Sequence, residues 1–236
     1  MNTDEGYWLE RVLQFVRLDG SEIAPVCFLT IEDGGNWKDL TADKFKDYFA
    51  TTPSQQAPQG TSDTGKPGKI ISKLMLALFS DPPVQSLDNW RIYHNDTLYR
   101  RNECNIKFFP IGRPNQGFWD PIFSEVIGLD DAEYERVCRQ RRPEVIQKRY
   151  PLAFDGSQIH IVLGALEDWK LVLDPAGEAL ITEPRTAHWQ MFKRDSQLAF
   201  AAFNIFRYGI SDADCLAFAQ ELQPFVPEPV RMRVRL

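Results

Sequence analysis

No stretch of the sequence approaches the roughly 18 consecutive apolar residues that a membrane-spanning helix requires. Cysteine is scarce and scattered: Cys27, Cys104, Cys138 and Cys215 are far apart, and no CxxC occurs. That spacing argues against both a metal centre and a disulfide framework. G-x-S-x-G is absent, which removes the commonest hydrolase elbow. The stretch "GTSDTGKPGK" (60–69) lacks the G-x-x-x-x-G-K-[ST] spacing, so no triphosphate loop is expected there. An excess of positive charge is missing too. A formal net charge of −6 argues against a broad basic saddle for duplex nucleic acid. Two local basic clusters, "CRQRRPEVIQKR" (138–149) and "VRMRVRL" (230–236), read first as a solvated helix face and a basic terminal strand. The relevant field is local, so they leave a nucleic-acid partner open.

What is present is material for a core. With 43% apolar and 12% aromatic residues over 236 positions, the chain suits one domain spanning 1–236. The start, "MNTDEGYWLERVLQFVRLDG", is acidic and amphipathic and lacks the basic-then-apolar order of a signal peptide. A cytoplasmic protein with no membrane association is the expectation.

Helical spacing of Trp8, Leu9, Val12, Phe15 and Val16 predicts a helix over 7–18. The continuous apolar run at 23–31 predicts a strand buried on both faces. A helix follows at 40–49. The Gly/Pro/Ser/Thr-rich segment 50–68 predicts a mobile surface loop, and 70–79 a second helix. Further strands are expected at 105–110, 158–163 and 178–183. Helices are expected at 130–150, bent before Pro143, and at 196–209 and 211–225, the last capped by Ser211 or Asp212. Strands alternating with helices indicate a three-layer α/β/α fold with a central, mostly parallel sheet.

In such sheets ligands bind at the carboxyl ends of the strands. Polar clusters follow the strands here: Glu32, Asp33, Gly34 and Gly35 after the first, Pro110 to Pro114 after the second, and Arg185 to Trp189 after the last. Asn105 heads an apolar run. An unpaired buried amide costs roughly 1–3 kcal/mol, so Asn105 either meets neighbouring backbone or faces a pocket. His160, alternating with Ile159 and Ile161, reads as a core or edge histidine. His94 reads as part of a surface hairpin or loop, and Trp119 and Trp169 as core or groove aromatics.

Five pieces stand in one order: "IEDGG" (31–35), "TGKPGKIISKLMLALF" (64–79), "NIKFFPIGRP" (105–114), "IHIVLGALEDW" (159–169) and "TAHWQ" (186–190). Together they resemble the uracil-DNA glycosylase superfamily, over roughly residues 23 to 195. The resemblance implies a glycosylase-like fold and hydrolysis of the N-glycosidic bond of a damaged or modified base flipped out of single- or double-stranded DNA. No cofactor and no metal are implied. By position, Glu32 or Asp33 falls where the family positions or activates water, and Gly34 and Gly35 where backbone approaches the nucleotide. Asn105 falls where an amide reads the base edge, and His188 where negative charge on the departing base is steadied. Trp37 stands in for the missing stacking aromatic, and Trp189 follows His188 where the family has Pro-Ser. Ile31 and Gly34 replace the family's Gly and Pro, and Lys66-Pro67-Gly68 replaces its aromatic loop. Those departures set a second expectation: a non-catalytic nucleic-acid or protein-binding module of the same fold.

Overall fold

The computed structural model describes residues 3–32, 40–51, 54–57, 66–80, 82–95, 103–111, 120–155, 159–173, 180–181, 189–194, 197–202 and 211–226. In chain order the elements are α1 (Thr3–Gln14), β1 (Val16–Gly20), β2 (Val26–Glu32), α2 (Ala42–Thr51), β3 (Ser54–Ala57), α3 (Lys66–Phe79) and α4 (Trp90–Asn95). They continue with β4 (Glu103–Phe109), α5 (Pro121–Ile127), α6 (Asp131–Arg149), β5 (Ile159–Leu163), α7 (Leu166–Leu173), β6 (Leu180–Ile181), β7 (Trp189–Arg194), β8 (Gln197–Ala202) and α8 (Asp212–Leu222).

The strands form one mixed sheet in the order β3-β1-β4-β2-β5-β8-β7-β6. β4, β2, β5 and β8 run parallel. β1 joins β4 antiparallel and carries β3 parallel on its outer side. β7 and then β6 extend the far end antiparallel. One face, presenting Leu18, Cys27, Leu29 and Ile106, packs against α1, α2, α5, α6 and α7. The other, presenting Val26, Phe28, Ile159 and Ile161, packs against α3, α4 and α8. Helices therefore cover both faces.

Several expectations are corrected. α1 stops at Gln14, and 16–18, expected to prolong it, belong to β1. The Phe15 N–H closes on the Val12 carbonyl at 3.1 Å, and pairing with β4 outweighs the helical spacing of Val16. Within 50–68, Thr51 still belongs to α2, 54–57 forms β3, and α3 begins at Lys66; the rest of that segment lies outside the described residues. Pro67 fits the first turn of α3, where its missing N–H has no helical partner to lose. The helix expected at 130–150 is α6, which carries Pro143 in its interior. Of the strand expected at 178–183, the described residues Leu180–Ile181 form β6 and pair antiparallel with β7; the rest lies outside the described residues. The fourth parallel strand is β8, inside 196–209, where a helix was expected. Ala and Leu favour helices, and short apolar runs suit either state; pairing on both edges makes this one a strand. His94 belongs to α4 and is buried, not on a surface loop. His160 is fully buried in β5, as the alternation predicts.

Two positions fix how the strands meet. Gly20 has φ +95, and a Cβ there would lie 2.1 Å from the Glu103 carbonyl oxygen, so only glycine fits where β1 crosses the start of β4. Arg142 of α6 is fully buried. Its Nη1 donates to the Leu13 and Phe15 carbonyls at 2.8 and 2.9 Å, its Nη2 to Lys107 at 3.4 Å, and its Nε to the Phe108 carbonyl.

Replacing Gly20 with Ala is expected to destabilise the fold by about 1–3 kcal/mol, read as a lowered denaturation midpoint. An unchanged midpoint would show that β1 and β4 do not approach this closely.

His160 generates a pH prediction. Its Nε2 donates to the Ala153 carbonyl at 2.7 Å and its ring stacks on Phe154. Burial holds its pKa below the ordinary 6.5, partly offset by the Ala153 bond and by Asp155. A base with a depressed folded pKa contributes stability that is complete above about pH 6.5 and is lost as the pH falls through the folded value. Urea titrations at pH 7 and pH 5 should show that loss in the wild type and a smaller one in His160→Gln. Equal losses would contradict it.

Candidate functional site

The parallel strands change direction of growth at β2. From it the chain passes to β4 on one side and then to β5 on the other. The crevice at the carboxyl ends of β2 and β5 is the place where such sheets bind ligands. On one wall β2 ends at Glu32, paired with Phe109 of β4. On the other, β5 gives way to a sharp turn in which Gly164 (φ 86) and Ala165 (φ 52) both lie in the left-handed region. Ala165 then opens α7, its carbonyl accepting from the Asp168 and Trp169 N–H groups at 3.0 Å each.

That helix is held firmly. The Trp169 indole N–H donates to the Thr30 carbonyl at 3.0 Å, joining α7 to β2. Arg139 donates to buried Asp168 at 2.6 Å and pairs with Glu135 at 2.7 Å, joining α7 to α6. A left-handed non-glycine residue costs of order 1–3 kcal/mol and persists where the surroundings enforce it.

The backbone sets two of the sequence-derived site residues on this rim. Glu32 closes β2. Trp189 opens β7 and pairs with Ala202, which pairs with Leu163, which pairs with Thr30. Trp189 therefore lies at the level of Thr30, three strands away, about 14 Å. Asp33, Gly34, Gly35, Trp37 and His188 lie outside the described residues.

Asn105 sits elsewhere. It is the third residue of β4, beside Phe28 of β2 and Asp19 of β1, about 13 Å below the Phe109 end of its strand. It is buried, and its Oδ1 accepts from the Thr30 hydroxyl at 2.9 Å. The same hydroxyl lies 3.3 Å from the Ile106 carbonyl.

Around Asn105 lies a set of polar residues that the sequence reading passed over. Asp19, Thr30, Glu103, Asn105 and Lys107 are all buried, and pairing and alternation put them on the sheet face of Val26 and Phe28. Tyr93 of α4 donates to Glu103 at 3.0 Å, and Arg17 to Asp19 at 3.0 Å. Nearby, the Ser72 hydroxyl donates to the Gly68 carbonyl at 2.8 Å and sits 3.0 Å from His94 Nδ1. The signal was available: Glu103, Asn105 and Lys107 recur with period two through "ECNIKFF".

Other chemistries find little support among the described residues. No group of three His, Cys, Asp or Glu side chains is arranged to hold a metal ion. Burial pushes the Cys104 thiol up and the Cys138 and Cys215 thiols up to about 12, so these three stay protonated and are poor nucleophiles. No described helix is long and apolar enough to cross a membrane. A groove of about 550 Å³ lined by Gln14, Arg141, Lys148 and Arg149 lies at the carboxyl end of α6. Because α6 returns from the end of β4 to the start of β5, that groove is at the end of the sheet opposite the rim.

Thr30→Val strands the Asn105 oxygen and is expected to cost about 1–3 kcal/mol. Thr30→Val with Asn105→Leu removes both partners and should recover most of that loss. Additive losses in the double variant, measured by denaturant unfolding, would contradict the bond. Compared with protein-family models, characterised proteins and solved structures, the chain matches none of them.

Proposed function

We propose that this chain is a glycosylase-like α/β/α protein that hydrolyses the N-glycosidic bond of a damaged or modified base flipped out of DNA. The observation that carries the reading is the strand order, which opens a crevice between the carboxyl ends of β2 and β5 with Glu32 at its edge. Cleavage leaves an oxocarbenium-like sugar and an anionic base. A carboxylate from Glu32 or Asp33 stabilises the first and places water; His188 steadies the second. Gly34 and Gly35 admit the nucleotide backbone, Trp37 stacks on the extruded base, and Trp189 lines the approach. None of these roles calls for a cofactor.

One observation favours a second reading, a non-catalytic nucleic-acid or protein-binding module of the same fold. The Asn105 acceptor is already used by Thr30 inside the sheet, which weakens its case as the reader of a base edge.

Base release from single- and double-stranded oligonucleotides carrying deaminated, alkylated or oxidised bases tests the proposal. The wild type should release one of them, and Glu32→Gln or Asp33→Asn, with His188→Ala, should each slow release by about 10²-fold or more. Retention of oligonucleotide without release would favour the second reading. Absence of both release and retention would contradict a nucleic-acid role.

A further inference from the structure

The basic cluster of α6 takes no part in the rim chemistry. Arg141, Glu144, Val145 and Lys148 recur at helical spacing, with Arg149 beside them, and line the groove of about 550 Å³. Gln14 lines it from the end of α1. Arg142 sets the separation of the two helices here, because its bonds to the Leu13 and Phe15 carbonyls grip α1 on either side of Gln14. A buried contact therefore fixes the walls before any ligand arrives, which lowers the cost of binding. The volume falls in the range of small-molecule sites, roughly 300–1,000 Å³.

The charged groups of the groove divide into spent and free. Arg141 donates to both carboxylate oxygens of Glu10, at 2.5 and 2.9 Å, so its charge is neutralised. Lys148 and Arg149 are exposed and make no hydrogen bond or ion pair among the described residues. Glu144 stands one turn before Lys148, the favoured order for a helical ion pair, yet it too is unpaired among the described residues. Two free cations against one free carboxylate leave the groove positive on a chain whose net charge is −6. Complementing the α6 macrodipole accounts for Lys148 and Arg149. It accounts neither for Glu144, whose charge opposes that end of the helix, nor for the recess.

The lining also selects. Two adjacent cations suit a phosphate group. The negative charge of the rest of the chain repels a long polyanion more than a small one. Glu144 and the Gln140 amide N–H groups can meet ligand hydroxyls. Among the described residues Val145 is the one apolar side chain in the lining, and no aromatic is there to stack on a base.

We infer that this groove is a binding site for a phosphorylated sugar. Lys148 and Arg149 hold its phosphate, and Glu144, Gln140 and Gln14 meet its hydroxyl groups. The inference goes beyond base release and uses no residue of the rim.

Calorimetric titration of the full chain with ribose 5-phosphate, glucose 6-phosphate, ribose, inorganic phosphate and a short single-stranded oligonucleotide tests it. At least one sugar phosphate should bind saturably, tenfold or more tighter than ribose or phosphate. Lys148→Gln with Arg149→Gln should weaken that binding tenfold or more, and Glu144→Gln should narrow its lead over phosphate. All three side chains are exposed and unbonded, so melting temperatures should stay at the wild-type value. Absence of sugar-phosphate binding, or an affinity unchanged in these variants, overturns the inference, and so does phosphate binding as tightly as the sugar phosphate. An oligonucleotide that displaces the sugar phosphate, and whose own binding weakens in the double variant, overturns it in favour of a nucleic-acid backbone site. Base release by the double variant should match the wild type, so failure at this groove is distinguishable from failure at the rim.

Discussion

A buried guanidinium ties the end of α1 and the entry to β1 to strand β4. Arg142 reaches from the middle of α6 to four main-chain carbonyls: Leu13 at the end of α1, Phe15 just before β1, and Lys107 and Phe108 in β4. Burial lowers its pKa, yet arginine remains a cation in any ordinary protein setting. What compensates the lost hydration is a ring of carbonyl dipoles, one of them at the negative end of the α1 macrodipole. A lysine could not do this, because the planar fork addresses several acceptors at once. The contact decides where α1 ends, where β1 begins and which strand β1 meets.

Everything on the polar face follows from that placement. With β1 antiparallel to β4, Asp19 comes beside Asn105, and Gly20 allows the crossing at Glu103. On the inner face the same strands bury Val16, Leu18 and Ile106 against α1 and α6. One strand pair thus serves two purposes: an apolar side that supplies cohesion and a polar side that collects two carboxylates, an amide and an ammonium. The carboxyl rim is built separately, by the crossover at β2 and by the left-handed turn at Gly164 and Ala165 that Trp169 and Asp168 anchor.

The parallel core was legible in the sequence because β2, β4 and β5 are apolar runs bounded by turn residues, a signal that survives without knowledge of partners. α3, α6 and α8 were legible for a similar reason, with capping residues such as Asp130 and Ser211 beside them. β1 and β8 were not. Val16 continues the spacing of α1, and the Ala-rich β8 has helical propensity; only their neighbours in the sheet make them strands. The Asn105 amide posed a choice between cap and pocket, and the Thr30 hydroxyl supplied a third answer from a strand 75 residues away in sequence. Lys107 was hidden within a run read as a buried strand from 105, and Glu103 lies two residues before that expected start. Glu32 was placed correctly at a strand end, a local property, whereas the company it keeps depends on distant loops.

The proposal stands on the crevice between the carboxyl ends of β2 and β5 receiving an extruded base. A crystal structure of the chain with a short oligonucleotide carrying a 2′-fluorinated, cleavage-resistant target nucleotide tests it most directly. That nucleotide should lodge between Glu32 and the Gly164–Ala165 turn, with its base out of the stack. Oligonucleotide bound at the α6 groove, or a stacked target base far from Glu32, would contradict it.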